Sequence, residues 1–348
     1  MRPLLAVFVL LAALSGCSGD AAKKSQPQSS PPATLAIRVG YFPNLTHAQA
    51  LVGLSRGDFA AALGPGVVIK TTVFNAGPSA IEALFAKQID LAYIGPNPAI
   101  NGYVQSGGEA LRIIAGATSG GAALVVRREA GIHGPADLAG KRLATPQLGN
   151  TQDVALRAYL ARHALKPREN GGNVDVIPTP NAQIIDLIRN RQVDGAWVPE
   201  PWASRLEVEA GCDVLVDERE LWTNGDFVTA HVIVRTQYLE THPDEVRAWL
   251  DAHVGVTKWL LDHPVEAQRI VNEEVGKLTG KPMADGVLAN AWSRMRPTWD
   301  PIAPSLVASA RAAYEAGFLK EKPDLSGIYD LAPLNQVLRS RGLAPVSE

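Results

Sequence analysis

A helix, an Asp-bearing turn, a short strand and a proline corner occur twice in this chain, and that repeat limits its possible folds more than any other feature. Ile81-Glu82 and Lys87-Gln88-Ile89-Asp90 return as Ile185-Asp186 and Arg191-Gln192-Val193-Asp194. Ala92-Tyr93-Ile94 then returns as Ala196-Trp197-Val198 without a gap. After a slip of one residue, Pro96-Asn97-Pro98 faces Pro199-Glu200-Pro201. Each copy carries an amphipathic helix into a short apolar strand, which is the grammar of an α/β sheet.

The surrounding sequence extends each copy into a series. Apolar runs at 35–40, 67–74, 91–94 and 111–117 read as strands, with helical patterns at 48–63, 79–87 and 99–105 between them. A second series has strands at 142–144, 174–178, 195–198 and 213–217, and helices at 152–163, 181–190 and 201–210. The expected fold class is therefore α/β: two lobes, each a mostly parallel sheet with flanking helices. Two longer β-type runs, 122–127 and 229–235, bracket the second series and are read as the two crossovers between lobes. The tail is helical by pattern: His242-Pro243-Asp244-Glu245 starts a helix with Val246, Trp249, Leu250, Val254, Thr257 and Leu261 at helical spacing. Further helices are expected at 264–278 and 304–316. At 348 residues the chain exceeds the size at which a single core stops growing. The expected domains are lobe one at 35–121 plus 232–348, made discontinuous by the excursion, and lobe two at 122–231.

The first residues read as an address rather than as fold. Arg2 precedes an apolar run at 4–14, too short to span a bilayer, followed by Leu14-Ser15-Gly16-Cys17. That tetrapeptide looks like a bacterial lipobox, with cleavage before Cys17 and lipidation of its thiol. Residues 1–16 are thus read as a lipoprotein signal peptide. Residues 17–34, rich in Ser, Pro, Gln and Lys, are read as the lipidated cysteine and a solvated tether. The expected location is outside the cytoplasm, periplasmic or cell-surface, anchored by lipid to a bacterial membrane.

Composition and motifs narrow the chemistry. Lys+Arg 33 against Asp+Glu 35 gives a formal charge of −2, which argues against a nucleic-acid binder. Two cysteines supply neither a disulfide framework nor a thiolate metal site. No phosphate loop, nucleophile elbow or His-Glu-x-x-His helix occurs, and the seven histidines are scattered. No enzyme activity, cofactor or metal is expected, and Cys212 is read as a small packing residue.

What the strand ends do carry is Gly, Pro, Asn and Thr. The loops are 41–47, 95–98, 118–121, 146–153 and 197–202, and nearly all open a helix. Helix starts expose unpaired backbone N–H groups and the positive end of a dipole, a seat for a small anion. These loops lack Lys and Arg, so an anion there would depend on neutral donors. The same residues serve as ordinary turns and N-caps. Gly149-Asn150-Thr151-Gln152-Asp153 is the sharpest element, with Asn150 or Thr151 placed to cap the next helix. Trp197 and Trp202 are candidate apolar walls, Trp197 equally a core residue. Glu200 repels an anion unless it caps a helix or accepts from an amine on the ligand. Asp90 and Asp194 are read as capping residues.

Taken together, these residues resemble the nitrate/sulfonate/taurine-type solute-binding proteins of ABC importers. The resemblance spans residues 35 to about 338. It is carried by Val39-Gly40-Tyr41-Phe42-Pro43-Asn44, Ala76-Gly77-Pro78, Ile89-Asp90-Leu91-Ala92, Asp137-Leu138-Ala139-Gly140-Lys141-Arg142, Val193-Asp194-Gly195-Ala196-Trp197 and Glu200-Pro201-Trp202. It implies the type II periplasmic-binding-protein fold, capture of a small anionic or zwitterionic solute between the lobes, and delivery to a membrane ABC permease by a monomer. The positions it marks as ligand contacts are Asn44, Asn97, Ser119, Gly120, Asn150, Thr151 and Glu200, with Trp202 beside them. Nitrate, taurine, an alkanesulfonate or a pyrimidine all remain open as ligands. A ligand-sensing lipoprotein without transport and a thiamine-pyrimidine-type binder are the alternatives. The cysteine-rich stretch of the related pyrimidine synthase is missing.

Overall fold

A computed structural model describes residues 35–348. Cys17 and the leader and tether expected at 1–34 lie outside the described residues. Eleven strands run in chain order: β1 (Leu35–Tyr41), β2 (Val67–Val73), β3 (Leu91–Ile94), β4 (Leu111–Gly120), β5 (Ala122–Arg127), β6 (Arg142–Thr145), β7 (Asp175–Pro178), β8 (Gly195–Pro199), β9 (Cys212–Asp217), β10 (Val228–Arg235) and β11 (Met295–Pro297). They make a six-stranded sheet of order β11-β4-β10-β3-β1-β2 and a five-stranded sheet of order β7-β6-β8-β5-β9.

The α/β class with two sheets and flanking helices is as the sequence indicates, and the strands fall within a few residues of their expected places. The sheets are mixed rather than mostly parallel. β1 pairs parallel with β2 and β3, and β6 pairs parallel with β7 and β8. β10 then runs antiparallel between β3 and β4, and β5 runs antiparallel between β8 and β9. The two runs read as crossovers are thus interior strands. β5 and β10 each come from the segment where the chain arrives from the other lobe, which brings them in running the opposite way, and β11 adds an antiparallel edge beside β4. The chain leaves the first sheet at Gly121 and rejoins it at Val228, so residues 228–231 belong to lobe one's sheet.

The duplication extends to side chains. The Arg38 backbone N–H and Nε both donate to Asp90 Oδ2, at 3.0 and 2.7 Å, and Arg235 donates to Asp90 Oδ1 at 2.7 Å. In the second lobe the Arg142 N–H and Nε donate to Asp194 Oδ2 at 2.9 and 3.4 Å, and Arg127 donates to Asp194 Oδ1 at 3.1 Å. Each aspartate therefore pins the turn before the central strand to the strands on either side. The paired arginines hold both carboxyls below the usual aspartate range against the opposing effect of burial.

The single helix expected at 48–63 is two, Ala48–Arg56 and Asp58–Leu63, broken at Gly57. Its φ of 79° is left-handed, a conformation glycine adopts without steric cost. This break seats Phe59 against Trp249 of the helix Pro243–Asp262, rings stacked at 3.8 Å. On that helix Val246, Trp249, Leu250, Val254 and Thr257 are buried as the spacing requires, while Leu261 is exposed and Leu260 takes the inward place. Among the described residues no helix is long and apolar enough to cross a membrane.

Candidate functional site

The carboxyl ends of the parallel strands of both sheets meet around one narrow cavity. It is lined by Phe42, Asn44, Thr46 and His47 after β1, Asn75 to Gly77 after β2, and Gly95 and Pro98 after β3. The second sheet contributes Pro146 and Asn150 to Gln152 after β6, Asn181 after β7 and Pro199 of β8; Thr229 of β10 completes the wall. The lining itself is duplicated. Phe42 corresponds to Pro146, Gly77 to Asn181 and Gly95 to Pro199, at the offset that relates Asp90 to Asp194 (194 − 90 = 104). The free volume is about 20 Å³, room for about one water molecule.

The loop before the helix Thr151–Arg162 is shaped by Asp153. One oxygen of this buried carboxylate accepts from Thr145 Oγ1 and the other from the Gly149 N–H, both at 2.9 Å. Arg157 pairs with it one turn on, at 3.2 Å. Asn150 is the N-cap: its Oδ1 accepts from the Asp153 N–H at 2.8 Å and its carbonyl from the Val154 N–H. The remaining first-turn amides, of Thr151 and Gln152, are left for an acceptor at the cavity. Among the described residues, neither Thr151 Oγ1 nor Asn181 Oδ1, both buried, has a hydrogen-bond partner.

On the opposite wall, Asn44 Oδ1 accepts from the indole of Trp202 at 2.8 Å. That leaves its NH₂ as the free end of the side chain. His47 is fully buried and desolvation lowers its pKa to about 3, so the ring is neutral at ordinary pH. Its Nδ1 accepts from the Phe42 N–H at 3.3 Å, which places the proton on Nε2. Among the described residues, no Asp, Glu, Lys or Arg lines this cavity. The arrangement offers hydroxyl, amide, imidazole and helix-terminal donors in a desolvated space. Such groups suit a small anion whose charge is met by dipoles rather than by a counter-ion.

Of the residues singled out by sequence, Asn44, Asn150 and Thr151 line this cavity. Asn97 lines a neighbouring one, where its Nδ2 donates to the Ser309 carbonyl at 3.1 Å. Ser119 and Gly120 do not line the cavity: both are in β4, where Gly120 N–H bonds to Phe227 and Gly120 O accepts from Thr229 Oγ1. Thr229 reaches the cavity in their place. Trp202 is buried behind Asn44 and acts on the cavity only through it. Glu200 also lies outside the lining. Its carboxylate accepts from the Ser204 N–H at 3.1 Å, capping the helix Trp202–Ala210, and pairs with Arg294 at 3.0 Å. Burial pushes its pKa up while Arg294 opposes the shift. Cys212 is buried at the start of β9, and burial pushes its thiol up to about 12. The sequence marks the loops that hold His47 and Gln152 without singling out either residue, and it does not mark Asn181 or Thr229. Asn181 was within reach, because it occupies the repeat position of Gly77.

Comparison with known proteins agrees with this architecture. The taurine-binding periplasmic protein of Escherichia coli (strain K12) is 26% identical over 234 residues, covering 67% of this chain and 70% of that protein. The alkanesulfonate-binding protein of Xanthomonas axonopodis pv. citri, solved bound to MOPS, superposes with a TM-score of 0.71 at 19% identity, covering 85% of this chain and 98% of that one. The periplasmic nitrate-binding protein of Synechocystis PCC 6803 gives 0.72 at 15% identity, with 89% and 90% covered. The fold is therefore that of these periplasmic binding proteins. The family described as the NMT1-like family matches over residues 30–273, most of the chain. The chain belongs to the NMT1-like family.

Proposed function

We propose that this protein is an extracytoplasmic solute-binding lipoprotein of an ABC importer that captures a small anionic or zwitterionic solute of the sulfonate, taurine or nitrate class. The observation that carries the reading is the cavity between the two sheets, walled by uncharged donors from both and by the start of the helix Thr151–Arg162. Asn44 and His47 from one side, and Thr151, Gln152 and Asn181 from the other, are the residues assigned to the solute. A ligand bridging both walls stabilises the closed arrangement by its difference in affinity for closed and open forms. Relatives named for taurine, alkanesulfonate and nitrate binding support the solute class.

The free volume of about 20 Å³ is smaller than such a solute, so the lobes part to admit it. Cys17 is assigned to lipid attachment, residues 18–34 to the tether, and an ABC permease is the partner that receives the solute. Isothermal titration of the purified protein with taurine, alkanesulfonates and nitrate tests the reading, and heat from none of them rejects it. Labelling with radioactive palmitate, lost in Cys17→Ser, tests the anchor.

A further inference from the structure

A second cavity adjoins the first and shares Thr151 with it, with about 50 Å³ free. Unlike the first, it carries charged side chains. Among its lining residues are Asn97 and Ser309 from lobe one, and Tyr159, Arg162, Glu218 and Trp222 from the other side. Glu218 is 3% exposed and opens the short 3₁₀ turn Glu218–Leu221 after β9. One of its oxygens accepts from Trp197 Nε1 at 2.8 Å, and among the described residues it makes no ion pair. Arg162, the only cation in the lining, is exposed. Desolvation raises its pKa to about 7, opposed by its bonds to Trp197 and Trp222 and by the nearby charge of Arg162, and a buried carboxylate without an ion pair is costly.

The neighbouring groups share this polarity. Asn97 has its NH₂ engaged by the Ser309 carbonyl, so its own Oδ1 is the end left to accept. Tyr159 and Trp222 bring aromatic rings to the same space. Tyr159 is held edge-on to Trp197 at 5.5 Å, and Trp222 is stacked on Phe227 at 5.2 Å. A carboxylate, an amide oxygen and two fixed aromatic rings attract an ammonium group. The first cavity offers uncharged donors, the second adds the buried Glu218 carboxylate with Arg162 at its exposed side, and Thr151 joins them.

We propose that the cavity of Glu218 is a cation subsite for the ammonium end of a short zwitterion whose anionic end lies among the donors of the adjoining cavity. The inference rests on the solute-binding reading and narrows it to amine-bearing solutes. The test is calorimetric titration of the full chain with two matched pairs: taurine against ethanesulfonate, and β-alanine against propionate. The amine-bearing member of at least one pair is expected to bind tenfold or more tighter than its partner. Glu218→Gln is expected to bring it down to its partner's level, leaving the partner's affinity unchanged. Equal binding within each pair by the unaltered protein overturns the subsite while leaving the solute reading intact, and needs no variant to fold. Equal weakening of both members by Glu218→Gln assigns Glu218 a merely structural role and also overturns it. Binding of none of the four, or of nitrate, removes the solute reading and the inference together.

Discussion

Trp202 and Asn44 face each other from opposite lobes, and the indole Nε1 donates to the amide Oδ1 at 2.8 Å with both side chains buried. An indole only donates, so this bond fixes which end of the Asn44 amide is left free for the cavity. The backbone reinforces it, since the Leu45 N–H donates to the Glu200 carbonyl at 3.1 Å. Trp202→Phe keeps the ring and removes the donor. Losing one such bond costs about 1 kcal/mol, so taurine or sulfonate affinity is expected to fall about fivefold in calorimetry. Unchanged affinity would separate Trp202 from the solute.

Gly95 sets how closely the lobes approach. A Cβ on it would stand 2.2 Å from Thr151 Oγ1 across the cleft. Gly95→Ala is therefore expected to hold the lobes apart and weaken solute binding tenfold or more, with little change in Tm. The double variant Gly95→Ala/Thr151→Ala relieves the clash but lacks the Thr151 hydroxyl, so it recovers only part of the affinity. Normal binding by Gly95→Ala alone would refute the closure geometry.

Glu200→Gln tests the role of Glu200 directly. Because this carboxylate is committed to Ser204 and Arg294, the substitution weakens one partner of a half-buried guanidinium that keeps its 2.5 Å pair with Glu207. The expected result is a loss of stability of about 1 kcal/mol in denaturant melts, with the ranking of solutes unchanged. A reversed preference between anionic and amine-bearing solutes would restore Glu200 to the binding site.

The duplicated aspartates differ in depth, which makes them a matched experiment. Each is held by two arginines, of which Arg38 and Arg142 are similarly exposed, but the Asp90 side chain is fully buried whereas that of Asp194 is 12% exposed. Asp90→Asn should cost about 3 kcal/mol, and Asp194→Asn clearly less. Chemical denaturation of the two variants side by side checks the order.

Acid should loosen the fold in a defined window. His47, His231 and His253 are buried, with pKa values lowered to about 3, 4 and 4. The unfolded chain, near 6.5, binds more protons, so stability present above that value falls as pH drops from about 6.5 to 4. The slope approaches about 1.4 kcal/mol per pH unit for each imidazole. Glu218, raised to about 7, opposes the trend because its folded form takes up a proton first. Three groups against chiefly one give a net loss. Thermal melts from pH 7.5 to 4.5 that show no fall in Tm would contradict the burial of these rings.

Most of the fold was legible because it is written twice. Matching Lys87-Gln88-Ile89-Asp90 to Arg191-Gln192-Val193-Asp194 located both central strands, and the flanking strands followed from apolar runs. The exchange of β5 and β10 was not legible, because strand direction depends on where the chain comes from and not on side-chain period. The strand-end loops led to Asn44, Asn150 and Thr151 in the cavity lining. Glu200 was ambiguous because its partner Arg294 lies 94 residues away and nothing local marks the pairing. His47 sat in a loop already singled out, but its tautomer comes from the fold of that loop. The short strand β11 and the helix Asp285–Ser293 were passed over, being short segments held by tertiary packing.

The placement of β10 also orders events during synthesis. The five strands of the second sheet lie in one continuous stretch and can pair as soon as they emerge. β3 and β4 cannot be bridged until residues 228–235 have been made. Through that interval each keeps an unpaired border, the kind of edge that invites mispairing with other nascent chains. The lobe that begins first is thus the one that finishes last.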